Sequence, residues 1–414
     1  MSTTSDVENR GERLEASTDS PTYDASAYEG LDYYDLDDLL TDEEKAHRDR
    51  TRSFVTREIA PIIEECAQEM RFPTELLPEI ANLGLLGPGL PQKYGCGGHS
   101  SMVYGLMMQE MERGDSGLRS FCSVQGSLVM YPIWRYGSEE QKETWLPQLA
   151  SAEKIGCFAL TEPNHGSNPA GMETRVRRAG DELIISGHKR WATNASIGDV
   201  AVVWARDEND DIGGYLVELD RAGVSTPWIM DKWSLRAAVT SEVVLDDVRI
   251  PATNKLPEAS GLGGPLSCLT QARFGISWGV TGAAMSCYDA ALQHARSRKQ
   301  FGRPIGKFQL IQERLTEMVS KITKAQLLNW RLAKLNDAGN LKPPQVSLAK
   351  RNNCDMALDV ARSSRQVLGG NGVLGMFPVM RHIMNLESVI TYEGTHEVHT
   401  LIVGQDVTGE SAFT

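Results

Sequence analysis

The chain has 414 residues, 41% of them hydrophobic, and a formal net charge of −13. That length buries a large core and divides into two or three domains. Residues 1–45 hold fourteen Asp and Glu against Arg10, Arg13 and Lys45, so −11 of the charge lies in the tail and about −2 in the rest. A near-neutral body argues against nucleic acid or an anionic membrane surface as partner.

No apolar run reaches the roughly 18 residues that a bilayer span takes, so no membrane insertion is expected. The acidic start has neither the basic and apolar stretches of a signal peptide nor the Arg-rich, acid-poor character of a transit peptide, which points to a cytoplasmic location. Seven scattered Cys with no Cys-x-x-Cys read as reduced thiols, with neither disulfides nor a metal site expected.

Residues 1–38 have the composition of a disordered acidic leader. Helical signals begin at Thr41-Asp42-Glu43-Glu44, where Thr41 and Glu44 have capping-box spacing, and the pattern predicts a helix toward Met70, disturbed near Pro61. A Gly-rich loop over 84–98 leads into a helix over 100–113, and a third helix follows over 118–135. On that third helix Arg119 and Ser123 are four apart and share one face. Residues 39–153 therefore read as an all-helical domain.

The period then changes. Stretches at 156–160, 173–178, 183–186, 200–204, 215–218 and 241–245 read as short antiparallel strands separated by turn clusters, a small β-barrel or sandwich over 154–260. Long helical segments return from 269. The run 272–298 carries Gly275, Gly279, Gly282, Ala283 and Ala284, small residues that let helices approach closely. The next places Leu315, Met318, Ile322, Ala325, Leu328, Leu332 and Leu335 on one stripe and stops at Gly339. A third runs over 347–368. With a terminal pair these make a helical bundle over 261–414.

Gly370-Asn371-Gly372-Val373-Leu374-Gly375 matches G-x-G-x-x-G, but it follows a helix and lies among helices, so it is no dinucleotide fingerprint. Thr161-Glu162-Pro163-Asn164-His165-Gly166-Ser167-Asn168 leaves a strand and is dense in turn formers, fit for an ordinary polar turn or for an oxyanion or ring. Trp191 suits a barrel strand that buries an indole. Arg298-Lys299-Gln300-Phe301-Gly302 ends a long helix, where cations suit the dipole. In Thr391-Tyr392-Glu393-Gly394-Thr395-His396-Glu397, Gly394 frees the backbone at a helix junction and Thr395 is placed to cap the next helix. A carboxylate between an aromatic ring and a glycine is open to desolvation, which raises its pKa.

Thr161-Glu162-Pro163 with Gly166-Ser167, Trp191-x-Thr193-Asn194, Arg298-Lys299-x-Phe301-Gly302, Leu368-Gly369-Gly370-Asn371-Gly372 and Tyr392-Glu393-Gly394-Thr395, in that order, resemble the acyl-CoA dehydrogenase family from about residue 39 onward. Tyr94-Gly95-Cys96-Gly97-Gly98, Asp115-Ser116-Gly117-Leu118-Arg119-Ser120, Tyr136-Gly137-Ser138-Glu139-Glu140-Gln141, Ala349-Lys350-Arg351-Asn352-Asn353-Cys354 and Asn385-Leu386-Glu387 are most similar to its glutaryl-CoA dehydrogenase branch. The chain departs from the family pattern at Ala159, His165 and Asn168.

The resemblance implies FAD bound between the β domain and the C-terminal bundle, with a neighbouring subunit of a homotetramer completing the site. Thr161 and Thr193 would bond the flavin ring beside Trp191, with Ser167 toward the phosphates of FAD and substrate. Arg298, Phe301 and Gln309 would reach FAD in a partner subunit together with Gln366, Gly369 and Gly370, and Thr395 and Glu397 would also touch it. Arg273 would lie near the CoA. Glu393 matches the catalytic base that takes the α-proton while the β-hydrogen leaves as hydride to flavin N5, Tyr392 the tyrosine beside it, and Arg119 with Ser123 the grip on the distal carboxylate of glutaryl-CoA. Oxidation would be followed by loss of CO₂ to give crotonyl-CoA, within lysine and tryptophan degradation, with electrons passing to an electron-transferring flavoprotein. Other readings are the same fold acting on another short-chain or dicarboxylic acyl-CoA without decarboxylation, an oxidase using O₂, and a catalytically silent scaffold.

Overall fold

The computed structural model describes residues 23–413. Its N-terminal part holds α1 (Asp42–Phe54), α2 (Ile63–Glu69), α3 (Leu77–Asn82), α4 (Ser101–Gly114), α5 (Ser116–Ser123), α6 (Tyr131–Tyr136) and α7 (Glu139–Ala150). Thr41 starts α1 with the expected capping box: its hydroxyl accepts from Glu44 N at 3.3 Å, and the Glu44 carboxylate accepts from Thr41 N at 2.7 Å. A π turn over Val55–Ile59 breaks the helix before Pro61. Another, Val124–Met130, splits the expected third helix into α5 and α6 just beyond Ser123. Such widened turns favour functional sites.

The middle part is a seven-stranded curled sheet with neighbours β1-β4-β2-β3-β7-β6, and β5 on β4. The strands are β1 (Gly156–Ala159), β2 (Arg175–Ala179), β3 (Glu182–Thr193), β4 (Val200–Arg206), β5 (Ile212–Glu218), β6 (Val224–Ser225) and β7 (Thr240–Pro251). Antiparallel pairing holds for β2–β3, β3–β7, β4–β5 and β6–β7, but β1 and, at Arg175–Arg206, β2 run parallel to β4, against expectation. The connection between β1 and β4 passes through the β2–β3 hairpin, long enough to return the chain in the same direction.

The C-terminal part holds α8 (Gly263–Ser297), a hairpin of β8 (Lys299–Gln300) and β9 (Arg303–Pro304), α9 (Gln309–Asp337), α10 (Pro343–Leu368), α11 (Val379–Val389) and α12 (His396–Thr408). Helix α8 has 35 residues, a rod of about 52 Å. Small residues on one of its faces meet α4. A Cβ at Gly282 would collide with the Gln109 carbonyl, one at Gly279 with the Glu112 carboxylate, and one at Gly275 would lie 2.5 Å from the Tyr104 hydroxyl. The small-residue expectation thus locates the α4–α8 contact. The Gly370–Gly375 stretch follows α10 and opens with a 3₁₀ turn over Gly369–Val373, with no strand before it.

The expectation of a disordered leader over 1–38 does not hold for 23–38; residues 1–22 lie outside the described residues. Short 3₁₀ turns form at Ala25–Ala27 and Leu36–Leu39. Tyr28 is buried, with the guanidinium carbons of Arg113 and Arg52 4.3 and 5.3 Å from its ring centroid. Gln326 Nε2 donates to the Leu31 carbonyl at 2.7 Å, and Gln293 Nε2 to that of Asp24 at 2.9 Å. A few apolar and aromatic residues, supplied with arginine partners, dock the segment although its composition is acidic.

Candidate active site

The site is assembled by α4, α5, α8, α10 and the loop between α11 and α12. On α5, Arg119 is fully buried, not the surface arginine its place near a helix start allows. Its Nε donates to Glu112 of α4 at 2.6 Å, and its Nη2 bonds the Tyr392 hydroxyl, which also lies 3.2 Å from Ser120 Oγ. Burial works against the guanidinium's charge, but Glu112, Tyr392 and Glu393 outweigh it and raise the Arg119 pKa. Nη1 of Arg119 and Oγ of Ser123, one turn along the same face, are buried with no partner among the described residues. Tyr104 on α4 closes this side, its hydroxyl 3.1 Å from Ser127 Oγ.

Glu393 has φ +53° and Gly394 φ +97°. Left-handed backbone at a glutamate is strained, and it persists where surroundings over-determine it. Lys350 of α10, itself buried, supplies that: its Nζ donates to the carbonyls of Tyr392 at 2.8 Å and Gly394 at 2.7 Å. Arg273 of α8 donates through Nε to the Glu393 carbonyl at 2.7 Å. Thr395 caps α12 as expected, accepting from Val398 N at 3.2 Å. The Glu393 side chain is left with a buried Oε2 that has no partner. Burial raises its pKa above the ordinary carboxylate value, against the pull of Arg119, Lys350 and Arg273.

Hydrogen bonds therefore bring Arg119, Tyr392, Glu393 and Arg273 together, with Ser123 one turn from Arg119 on α5. Glu112, Ser120 and Lys350 bond to these residues and, like Tyr104, were not singled out from sequence. Lys350 stood within a quoted motif, and Glu112 lies seven residues before Arg119, two helical turns that the α4–α5 junction interrupts.

The remaining predicted residues form open groups. Arg190 N donates to the Thr161 carbonyl at 2.8 Å, joining the Thr161 loop to the end of β3 that bears Trp191 and Thr193. Glu162 anchors this loop in a buried ion pair, 2.8 Å from Lys189, which holds its carboxyl at about 2 despite burial. A register shift in β3 between Lys189 and Ala192 gives Trp191 φ +62° and leaves its indole 54% exposed, against the expectation that the strand buries it. Ser167 is exposed nearby. Phe301 and Gly302, with φ +50° and +77°, make the tight turn between β8 and β9, with the Phe301 ring 92% exposed. Arg298 and Gln309 flank that turn, exposed, as are Gln366, Gly369 and Gly370 at the end of α10 and Glu397 on α12. Among the described residues no hydrogen bond links the Trp191, Phe301 and Gly369 groups to one another.

The acyl-CoA dehydrogenase N-terminal, middle and C-terminal domain families match residues 41–153, 157–248 and 259–408. A glutaryl-CoA dehydrogenase from Mycobacterium smegmatis is 53% identical with TM-score 0.90, covering 92% of this chain and 98% of that one. A glutaryl-CoA dehydrogenase structure from the same organism, in complex with FADH2, is 47% identical with TM-score 0.91, covering 95% and 100%. The human mitochondrial short-chain specific acyl-CoA dehydrogenase is 34% identical over 85% of this chain and 87% of its own length.

Proposed function

From the premise that the chain belongs to the acyl-CoA dehydrogenase family and takes FAD, we propose that it oxidises and decarboxylates glutaryl-CoA to crotonyl-CoA and CO₂. The observation that carries the substrate is the pair of buried, unpartnered donors, Arg119 Nη1 and Ser123 Oγ, one helical turn apart beside Glu393. A plain fatty-acyl chain would leave a buried guanidinium arm unpaired, whereas a distal carboxylate satisfies both donors. Glu112 neutralises the rest of the arginine and fixes its fork.

The exposed residues fit the cofactor. The Trp191 indole offers a flat face, Thr161 and Thr193 offer hydroxyls beside it, and Ser167 and Gly166 leave room for phosphate. Arg298, Phe301, Gln309, Gln366, Gly369, Gly370, Thr395 and Glu397 would serve FAD across a homotetramer, since one chain holds them in separate groups. FAD, when bound, accepts the β-hydrogen as hydride and passes the electrons on, in our reading to an electron-transferring flavoprotein.

Glu393 takes the α-proton through its free Oε2; a desolvated carboxylate is a stronger base than one in water. Loss of two hydrogens gives glutaconyl-CoA. The bond to the distal carboxylate then breaks, CO₂ leaves, and the electron pair moves into the conjugated thioester. Protonated Glu393 returns its proton to the γ-carbon, giving crotonyl-CoA. Arg119 and Ser123 hold the carboxylate in place until that bond breaks, with Tyr392 fixing the Arg119 side chain through Nη2. Arg273, tied to the Glu393 carbonyl, supports the base and faces the CoA side.

Anaerobic titration with glutaryl-CoA tests this. Flavin bleaching with crotonyl-CoA and CO₂ as products supports the whole reading, and bleaching with glutaconyl-CoA alone removes the second step. No bleaching with glutaryl-CoA but bleaching with butyryl-CoA would instead favour a short-chain enzyme, the reading that the human relative supports.

A further inference from the structure

Among the described residues, two clusters bring three metal-ligating side chains within 4.8 Å of one another: Glu43, His47 and His99, and Glu162, His165 and Glu173. The second is spoken for. Glu162 Oε1 accepts from Thr174 N, Thr174 Oγ1 and Lys189 Nζ at 2.9, 2.6 and 2.8 Å, and Oε2 from Glu173 N at 2.5 Å.

The first is free. Glu43 and His47 are four apart on α1, so both project from one face. His99 arrives from the loop before α4, held there by its N–H donating to the Pro88 carbonyl at 2.8 Å. The two imidazole rings are 4.2 Å apart at 60°, and His99 Nδ1 lies 3.6 Å from Glu43 Oε1. Among the described residues, the one group bonded to the His47 ring is already a cation: Arg50 Nη2 is 3.0 Å from Nδ1 and 3.3 Å from Nε2. Arg50 is exposed, so water can take its guanidinium when another cation displaces it.

We infer that Glu43, His47 and His99 form a site for a zinc-type divalent cation, with water as fourth ligand. Two imidazoles and one carboxylate suit zinc at about 2.0–2.2 Å, reached by side-chain rotation alone because Glu43 is exposed and His99 sits on a loop. The ion would clip the first turns of α1 to Ser100, the N-cap of α4, and so brace the helix that carries Tyr104 and Glu112.

The test is calorimetric titration of the FAD-loaded protein with Zn²⁺ in chelator-free buffer, alongside Glu43→Gln, His99→Ala, Arg50→Ala and His165→Ala. The expected result is one site per chain that weakens tenfold or more in Glu43→Gln and in His99→Ala. Arg50→Ala should tighten it severalfold, since a competing cation is removed, and His165→Ala should leave it unchanged. Co²⁺ in place of Zn²⁺ should give the visible absorption of a tetrahedral centre that His99→Ala abolishes. No stoichiometric binding, equal affinity in Glu43→Gln and His99→Ala, or loss only in His165→Ala would each overturn the assignment. Glu43 is exposed, so Glu43→Gln keeps the test valid if a histidine variant misfolds.

Discussion

Arg119 and Glu112, seven residues apart on successive helices, form an ion pair at 2.6 Å with neither side chain reaching solvent. It sits where α8 offers Gly279 in place of a side chain. A buried guanidinium is tolerated only when paired, and this pair leaves Nη1 without a partner among the described residues. Glu112→Ala should therefore cost about 3–5 kcal/mol of stability by stranding a buried charge. Urea unfolding measures it, and a loss under about 1 kcal/mol would mean that Arg119 finds water instead.

The same arm makes a substrate prediction. Arg119→Ala should lower kcat/KM for glutaryl-CoA by about 2 kcal/mol or more, roughly 30-fold, while butyryl-CoA changes far less. The ratio of the two substrates cancels any general loss of folded enzyme. Equal losses would remove the carboxylate grip.

On the proposed reaction Glu393→Gln should abolish turnover, since the proposal makes its carboxylate the proton acceptor, yet keep FAD bound, since its backbone is held by Lys350 and Arg273. It also carries a stability signature. The Glu393 pKa is raised in the folded state, so the fold favours the protonated acid. Wild type then loses stability as pH rises through the ordinary glutamate range toward the folded pKa. Glutamine removes that cost, so the Tm of the variant should exceed wild type at neutral pH, on the order of 2 °C. The gap should close as pH falls to about 4. A gap that widens on acidification would reverse the sign assigned to Glu393.

Tyr28 separates packing from hydrogen bonding. The ring is buried between Arg113 and Arg52, but its hydroxyl is buried without a partner. Tyr28→Ala should cost about 3 kcal/mol, whereas Tyr28→Phe should be neutral or stabilising by about 1 kcal/mol. Thermal unfolding of the two variants checks both signs.

Gly282→Ala should destabilise by about 2 kcal/mol despite alanine's better helix propensity, because its Cβ would meet the Gln109 carbonyl on α4. A neutral outcome would show that α4 and α8 separate at little cost. Because the same contact positions Glu112, activity toward glutaryl-CoA should fall with it.

Much of this was legible in the chain. The Thr41 and Thr395 caps, the glycine stripe on α8 and the i, i+4 placement of Arg119 and Ser123 all rest on signals within a few residues, whereas Arg298 to Gly302, read as the end of a long helix, lies beyond α8 in the β8–β9 hairpin. The failures have physical causes. Trp191 reads as a buried strand residue because alternation cannot reveal a bulge that turns its indole outward. The 23–38 segment reads as disordered because composition counts its acids and not the arginines of α1 and α4 that meet it. The parallel pairing of β1 with β4 is invisible to strand patterns that give direction no signature.

The amino-acid sequence by itself determined the order of a helical part, a strand-rich part and a second helical part, the caps at Thr41 and Thr395, and which ordered motifs tie the chain to its family. Only the tertiary structure decided that Arg119 is buried and paired with Glu112, that Lys350 and Arg273 clamp the Glu393 backbone, and that Arg119 Nη1, Ser123 Oγ and Glu393 Oε2 are buried without partners among the described residues. Caps, turns and periodicity are properties of neighbouring residues. Desolvation and charge pairing, such as the contact between Arg119 and Tyr392 across 273 positions, exist only once helices have packed and excluded water.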